Sequence, residues 1–260
     1  MEITTATNLL SRILWIAFDM LRARYAATKL GALWAIAQPA LMFVIFWFVS
    51  VYGLKMTAST GVPFFAYLFG GLLPWVTFSG AVSDGAGAVG ANRHLVTQAD
   101  FPLIVVPLAA VLSSMLVHLP LSLIVVLIFV ANDVVLTSQV FLLPIFFFGL
   151  AIVSFVFVLP LSVLSVRSPD VSQAVNVILL LLFWMTPIVW PLSNLSPRLQ
   201  DFLSLNPLFW VVGGYRHALL GMPLPGNIFY FASVSVFMLS MLAIGIVIFG
   251  YFRKRLGDYL

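Results

Sequence analysis

Cysteine is missing from this 260-residue sequence, and charged residues make up only 8% of it. Without cysteine the chain forms no disulfide framework, no thiolate zinc site and no thiol nucleophile. A soluble domain carries about 25% charged residues, so this chain has too few to cover a surface that faces water. The three histidines, His94, His118 and His217, are far apart in sequence and form no ligand cluster. These shortages indicate an integral membrane protein.

Long apolar segments are what the chain has instead. Hydrophobic residues make up 63% of it, and the mean hydropathy is +1.15. A helical span needs about 20 mostly apolar residues, and six segments meet this requirement. The predicted spans are Leu33–Tyr52, Phe64–Val82, Leu103–Ala131, Val140–Val166, Ala174–Leu192 and Ile228–Phe252. The sequence therefore predicts an all-α membrane protein, a single transmembrane domain over residues 1–260 with six transmembrane helices.

Basic residues lie mainly on one side of these spans. With a cytoplasmic N-terminus, only Lys55, Arg198 and Arg216 fall outside. Nine fall inside, namely Arg12, Arg22, Arg24, Lys29, Arg93, Arg167, Arg253, Lys254 and Arg255. Positive residues accumulate on the cytoplasmic side of membrane proteins. The bias predicts that both termini are cytoplasmic, which an even number of spans requires.

Asn206–Gly221 tests the span count, because it is apolar but short and contains Arg216 and His217. As a seventh span it would place the basic residues after the last span outside the cell, against the charge bias. A short apolar stretch between two spans is more typical of a re-entrant or interfacial element. We therefore expect re-entrant elements between spans five and six, within an external loop at residues 193–226.

The N-terminal segment Leu9–Leu21 has an amphipathic helical pattern. Arg12, Asp19 and Arg22 fall largely opposite a broad apolar face. This pattern favours a helix lying in the cytoplasmic interface, within an interfacial segment at residues 1–30. A helix packed on a partner subunit would show the same pattern, so the pattern alone leaves both open.

The six predicted spans contain no Asp, Glu, Lys or Arg. Intramembrane ionisable groups mark proton relays, ion sites and catalysis, so their absence argues against a proton-coupled carrier and an intramembrane enzyme. His118, Gln38 and Asn176 are typical of interhelical hydrogen bonds. The chain also lacks a G-x-x-x-x-G-K-[ST] motif, so ATP would have to be bound by a separate subunit.

Gly85, Gly87 and Gly90 spell G-x-G-x-x-G, the string of a dinucleotide-binding turn. That turn also needs a strand before it, a helix after it and an acidic residue about 20 positions on. Here a long apolar run precedes the glycines, and residues 108–112 contain no acid. We interpret the string as a chance match in a close-packed helical turn.

Aromatic residues make up 15% of the chain. Trp and Tyr near span ends are typical of interface belts. Rings that face an inner passage would instead stack on sugar rings and grip them without fixed hydrogen bonds. The candidates for a substrate path are Trp34, Tyr67, Trp75, Trp184 and Tyr215, with Arg216.

Five short motifs follow one another along nearly the whole chain. They are Leu30–Trp34 ("LGALW") with Pro39; Gly71–Ser79 ("GLLPWVTFS"); Asn92–Val96 with Phe101–Pro102; Arg167 with Asp170; and Asn206–Leu208 with Tyr215–Arg216. In this order they resemble the membrane subunits of ABC exporters for bacterial surface polysaccharides, which move O-antigen, capsule and teichoic acid chains. In that family Arg and Asp form one element between spans four and five, whereas Ser168 and Pro169 separate them here.

The resemblance implies a homodimer of six-span subunits with a polymer passage between them. Two ATP-binding-cassette subunits would dock on the cytoplasmic side and bind ATP and Mg. Asp84–Asp100 would be the coupling segment that receives their motion. The coupling residues that the resemblance implies are Asn92, Arg93, His94, Leu95, Phe101, Pro102, Arg167 and Asp170.

The implied function is export of a lipid-linked polysaccharide, O-antigen, across the bacterial inner membrane, with no catalytic residue in this chain. Two alternatives stay open from the sequence. One is an ABC exporter of a drug or a lipid, and the other is a channel or structural membrane protein without energy coupling.

Overall fold

The structure is a computed structural model that describes residues 2–56, 61–96, 98, 101–192 and 195–253. Three parts of the sequence predictions fall outside the described residues. These are residues 97, 99 and 100 of the coupling segment, residues 193 and 194 of the external loop, and Lys254 and Arg255 of the basic cluster.

Within the described residues the chain is helical and contains no strand, which confirms the all-α prediction. The helices are α1 (Glu2–Tyr25), α2 (Trp34–Phe48), α3 (Phe64–Ala91), α4 (Arg93–Val96), α5 (Val105–Ala131), α6 (Leu143–Arg167), α7 (Asp170–Met185), α8 (Pro197–Leu203), α9 (Pro207–Leu220) and α10 (Ile228–Arg253). Short 3₁₀ turns, Gly31–Leu33 and Ser138–Leu142, precede α2 and α6, and a π-helical turn, Val49–Gly53, follows α2.

Among the described residues, five helical stretches are long and apolar enough to cross a membrane. They contain α2, α3, α5, α6 and α10, so five of the six predicted spans are present as helices. The remaining span, Ala174–Leu192, differs from its prediction because α7 ends at Met185. Pro187 accounts for this end, since a proline disfavours the helical conformation of the residue before it. Thr186 is accordingly extended, with φ −103° and ψ 132°.

Helix α3 is the central element, with 78% of its most apolar window buried, against 33% for α5 and 11% for α2 and α10. It runs nine residues past the predicted end of its span at Val82, so the first half of the predicted coupling segment continues the span without a break. At 1.5 Å per residue its 28 residues cover roughly 42 Å, more than the ~30 Å hydrocarbon core.

The glycine string lies inside this continuous helix, so it forms no strand-to-helix turn for a nucleotide. The prediction of close packing holds for Gly85, where a Cβ would lie 2.6 Å from Val158 of α6. It does not hold for Gly87 and Gly90, where a Cβ would meet nothing within 4 Å. These two residues lie on the partly exposed stripe of α3.

Helices α6 and α10 run in the same direction. Gly245 of α10 lies against Pro160 in the second half of α6. The first halves of both helices line one shared groove. The chain between Arg167 and Ile228 must therefore return from one end of the bundle to the other, and α7, α8 and α9 lie in this return.

The predicted N-terminal helix is present and longer than its amphipathic core, as α1 covers Glu2–Tyr25. Its buried residues Ile16 and Ala17 pack on Val105 and Ala109 of α5. On another side Trp15 remains 66% exposed. One face of α1 is thus bound within its own chain, while its position in the membrane interface stays a prediction.

Candidate functional site

A cleft of about 620 Å³ opens between α2, α3, α5 and α7, with the end of α1 at one side. Aromatic rings form part of its wall. The Phe183 ring lies 5.4 Å from that of Trp75 and 5.2 Å from that of Phe46, measured between centroids, and Trp184 follows it on α7. These rings come from three helices and form one continuous apolar surface.

Polar groups share the cleft with these rings. Those that line it include Gln38, Thr77, Ser79, Ser83, Ser114 and Asn176. Ser83 of α3 donates to the Asn176 side chain of α7 at 2.7 Å, so these two helices are joined across the cleft wall. The Ser114 hydroxyl is buried and has no hydrogen-bond partner among the described residues. A buried hydroxyl without a partner is costly, so Ser114 carries an uncompensated polar atom in the cleft wall.

An ion pair stands at one end of the cleft, where Arg24 in the last turn of α1 lies 2.5 Å from a carboxylate oxygen of Asp84. Both side chains are partly exposed, at 30% and 39%. Such pairs contribute only about 0–1 kcal/mol to stability. The contact therefore fixes the position of α1 against α3 more than it stabilises the fold.

The buried side chain of Arg216 on α9 joins three segments at the other end of α3. Its Nε donates to the carbonyl of Tyr67 at 3.1 Å, and its two terminal nitrogens donate to the carbonyls of Pro187 at 2.7 Å and Ile188 at 2.8 Å. An arginine side chain stays protonated at neutral pH, so these bonds are made by a charged guanidinium. The Tyr67 hydroxyl donates to the carbonyl of Trp190 at 3.1 Å.

The non-helical stretch after α7 explains why a buried arginine is present. Buried carbonyls of irregular backbone are costly unless side chains or water satisfy them. The fork of Arg216 supplies two such bonds and Tyr67 a third. Gly71 makes room for the fork, since a Cβ there would lie 2.6 Å from a guanidinium nitrogen.

His118 of α5 forms a second buried network. Its Nδ1 lies 2.7 Å from the Thr77 hydroxyl and its Nε2 lies 2.9 Å from the Tyr215 hydroxyl. Thr77 donates its single proton to the carbonyl of Leu73, so it accepts from Nδ1–H, and Nε2 accepts from Tyr215. Every polar atom of this set is satisfied, which agrees with the structural role predicted for His118.

The predicted coupling residues lie on two surfaces. On the first, Leu95 of α4 and Phe101 pack against the face of α1 that carries Ile16, and together they line a groove of about 630 Å³. Arg93 and His94 are exposed beside this groove. Asn92 caps α3 by donating to the carbonyl of Ala88 at 2.8 Å.

Pro102 begins the turn into α5, where its carbonyl accepts from the Val105 amide at 2.9 Å. On the second surface, Arg167 ends α6 and Asp170 begins α7, and both side chains are exposed. Two residues before Arg167, the Ser165 hydroxyl lies against the carbonyls of both Leu161 and Ala86, so this end of α6 packs closely on α3.

The predicted path residues are not in one place. Trp75 and Trp184 line the cleft, and Trp34 is partly buried beside Ala35, which also lines it. Tyr67 and Arg216 border a second cavity of about 220 Å³ near the end of α7. Tyr215 is fully enclosed by its own chain.

Sequence reasoning missed Phe46, Phe183 and Ser114 as cleft residues. A helical spacing carries the signal that would have found the first two. The cleft residues of α2 are Ala35, Gln38, Pro39, Met42 and Phe46, and those of α7 are Asn176, Leu179, Leu180, Phe183 and Trp184. Both sets follow the three-and-four spacing of a single helix face.

This architecture defines a polytopic α-helical membrane protein with a lateral cleft of rings and hydroxyls. The chain belongs to the ABC-2 type transporter family, since the sequence model of that family matches residues 12–220.

Similar proteins include two named as O-antigen export system permease protein RfbA. The one from Klebsiella pneumoniae is 26% identical over 92% of this chain and 91% of its own length. The one from Myxococcus xanthus is 31% identical over 75% of each. The chain is also similar to the polysialic acid transport protein KpsM of Escherichia coli, with 26% identity over 88% of both chains.

Proposed function

We propose that this chain is the membrane subunit of an ATP-driven exporter that carries a lipid-linked polysaccharide, of the O-antigen type, across the bacterial inner membrane. The carrying observation is the match, along most of the chain, to relatives named for O-antigen export and polysialic acid transport. The cleft supports it, because its rings suit the apolar faces of sugars and its hydroxyls and amides suit their hydroxyl groups.

A polymer must slide, so each contact has to be weak enough to release. The Trp75, Phe183 and Trp184 surface fits this demand, since a sugar can leave one ring as it meets the next. We place the path along this cleft and assign Tyr67 and Arg216 to its far end.

The proposal includes a homodimer. The cleft opens beside α2 and α7, whose outward faces are apolar and exposed, with Phe48 at 59% and Leu181 at 59%. A second copy against these faces would close two clefts into one passage. The same contact would cover the small-residue stripe of α3 that Ser79, Gly80 and Gly87 form.

Six crossings are proposed, with both termini cytoplasmic. The parallel run of α6 and α10 supports this number, because the chain between them must cross back once. At 1.5 Å per residue α7 covers roughly 24 Å, short of the ~30 Å core. The irregular residues 186–192 after it would complete the crossing.

An ATP-binding-cassette subunit, with its ATP and Mg, would dock on the groove between α1 and α4. Leu95 and Phe101 line this groove, and the side chains of Arg93 and His94 are exposed beside it. Asn92 connects it to α3, which carries one wall of the cleft. Motion of the partner would thus reach the path through a single helix.

Complementation tests the function. The chain is expressed in a strain that lacks its own O-antigen permease, with a cognate ATP-binding subunit or with that subunit's Walker A Lys→Ala variant. Surface polysaccharide should return when the chain is expressed with the intact partner, and should not return when it is expressed with the Walker A variant. A chain carrying Asn92→Ala, Arg93→Ala and Leu95→Ala should insert normally but restore little export.

Three results would contradict the proposal. Export with the inactive partner would indicate an uncoupled channel. ATP-dependent resistance to drugs without surface polysaccharide would indicate a drug exporter. Full export by the triple variant, with normal binding of the partner, would show that Asn92, Arg93 and Leu95 take no part in coupling.

A further inference from the structure

A second large groove, of about 760 Å³, lies between α6, α9 and α10, away from the residues of the cleft. A contact between helices borders the groove at each end. At one end Gly245 packs closely on Pro160, with a Cβ position 3.2 Å from the proline Cδ. At the other end the rings of Trp210 and Phe231 meet with centroids 5.2 Å apart. The first contact joins α6 to α10 and the second joins α9 to α10, and the groove lies between them.

The walls of this groove are almost wholly apolar. Its floor includes Val156 and Val234, which are buried. Two side chains in it carry polar atoms that bond elsewhere: Ser235 donates to the carbonyl of Phe231 at 2.9 Å, and the Trp210 ring donates to the carbonyl of Ser204 at 2.7 Å. These side chains therefore have no free donor hydrogen for a sugar, a headgroup or a water chain.

The groove has the length of one membrane leaflet. On α6 it runs from Ile145 to Val156 and on α10 from Ile228 to Leu242, roughly 17 and 21 Å at 1.5 Å per residue. Half of a hydrocarbon core measures about 15 Å. Gly149 lies in the stretch of α6 that lines the groove, and a Cβ there would meet nothing within 4 Å.

From these observations we infer that the groove is a binding site for one acyl chain of a bilayer phospholipid. Both long helices that form it are long and apolar enough to cross the membrane. The groove shares no lining residue with the cleft and lies apart from the α2 and α7 faces proposed for the dimer, so in that assembly it is left facing lipid. An empty apolar groove forfeits the dispersion contacts that a hydrocarbon chain restores. The bound chain fills the space between α6 and α10 and supports α9 from the side.

Photo-crosslinking of the intact complex tests this site. The chain and its ATP-binding partner are reconstituted in nanodiscs of phosphatidylethanolamine with a trace of phosphatidylcholine that carries a diazirine on its acyl chain. Adducts are mapped by peptide mass spectrometry. Val153 and Met238 line the groove, whereas Phe148 and Phe237 do not and are 64% and 47% exposed. We expect at least threefold more adduct on the first pair.

Filling the groove supplies the matched variant. Gly149→Phe should abolish the excess on Val153 and Met238. Gly250→Phe, at an exposed position of α10 that is outside the groove and also has open space, should leave it unchanged. The wild-type adduct pattern is informative even if Gly149→Phe assembles poorly.

Three outcomes would overturn the inference. Equal yields at all four positions would mean ordinary surrounding lipid. Gly149→Cys copies that crosslink to each other, without groove adducts, would mean that a second copy fills the groove. Loss of the adducts on addition of purified lipid-linked polysaccharide would assign the groove to the tail of the transported substrate.

Discussion

The guanidinium carbon of Arg216 lies 3.5 Å from the centre of the Tyr67 ring, although 149 positions separate the two residues. Both side chains also bond to the irregular backbone after α7, at Pro187, Ile188 and Trp190. One cation and one phenol thus hold α3, α9 and the backbone that follows α7 together, at the end of α3 opposite the Arg24 ion pair.

Gly71→Ala should destabilise the protein. A Cβ at this position would lie 2.6 Å from the Arg216 fork and displace it, and each buried carbonyl left unpaired costs roughly 1–3 kcal/mol. The thermal unfolding temperature of the purified protein should fall. Gly90→Ala on the same helix is the control, since a Cβ there meets nothing within 4 Å. Equal unfolding temperatures for the two variants would show that the fork tolerates the displacement.

Tyr215→Phe should lower stability modestly and leave export intact. The change removes the hydroxyl that His118 Nε2 accepts from, and hydrogen bonds between membrane helices contribute roughly 0.5–2 kcal/mol. Unfolding temperature and surface polysaccharide are measured together. Tyr52→Phe, at a 62% exposed ring, should change neither.

Tyr215→Ala separates the two roles open to this residue. An enclosed ring predicts that protein abundance falls with export. A ring that lines the path in another conformation predicts normal abundance with loss of long chains, and an immunoblot beside a polysaccharide gel distinguishes them.

Trp75→Ala and Trp184→Ala should reduce export of long chains while protein level and ATPase binding persist. These rings form the stacking surface of the cleft, so Trp→Phe at either position should preserve most export. Trp47→Ala is the control, because Trp47 lies on α2 but does not line the cleft. Normal chain length in both cleft variants would show that other residues form the path.

A cysteine placed at Ser196 should react with an impermeant thiol reagent from outside, and one at Ser168 should not. The native chain has no cysteine, so no background needs to be removed. Ser196 is exposed before α8, and Ser168 lies in the turn between α6 and α7. Ser59 and Gly257, outside the described residues, extend the test to the external and cytoplasmic sides respectively. Labelling of the cysteine at position 168 from outside would contradict the proposed orientation.

The length of the apolar runs predicted the long helices well, because a run such as Val105–Ala131 has no other stable form in a membrane. The break in α7 was harder to predict, although Pro187 marks it in the sequence. In a membrane such a proline either kinks the helix or ends it, and the outcome depends on whether a distant group satisfies the freed carbonyls. Here that group is Arg216, 29 residues later, and no local pattern connects the two.

The path residues were harder still, because each ring type occurs at many positions and only packing decides which way a ring faces. Tyr215 and Trp184 were equal candidates in the sequence. The structure encloses the first against His118 and leaves the second 56% exposed.

The order of the Arg216 partners along the chain bears on how the protein is made. At the centre of a membrane helix an arginine costs about 2.5–3.5 kcal/mol, and a buried guanidinium such as that of Arg216 therefore needs acceptors. Its three acceptors, the carbonyls of Tyr67, Pro187 and Ile188, all precede it in the sequence. A ribosome therefore delivers every acceptor to the membrane before the cation that needs them. Because synthesis runs from the N-terminus to the C-terminus, there is no stage at which Arg216 has been made and its acceptors have not.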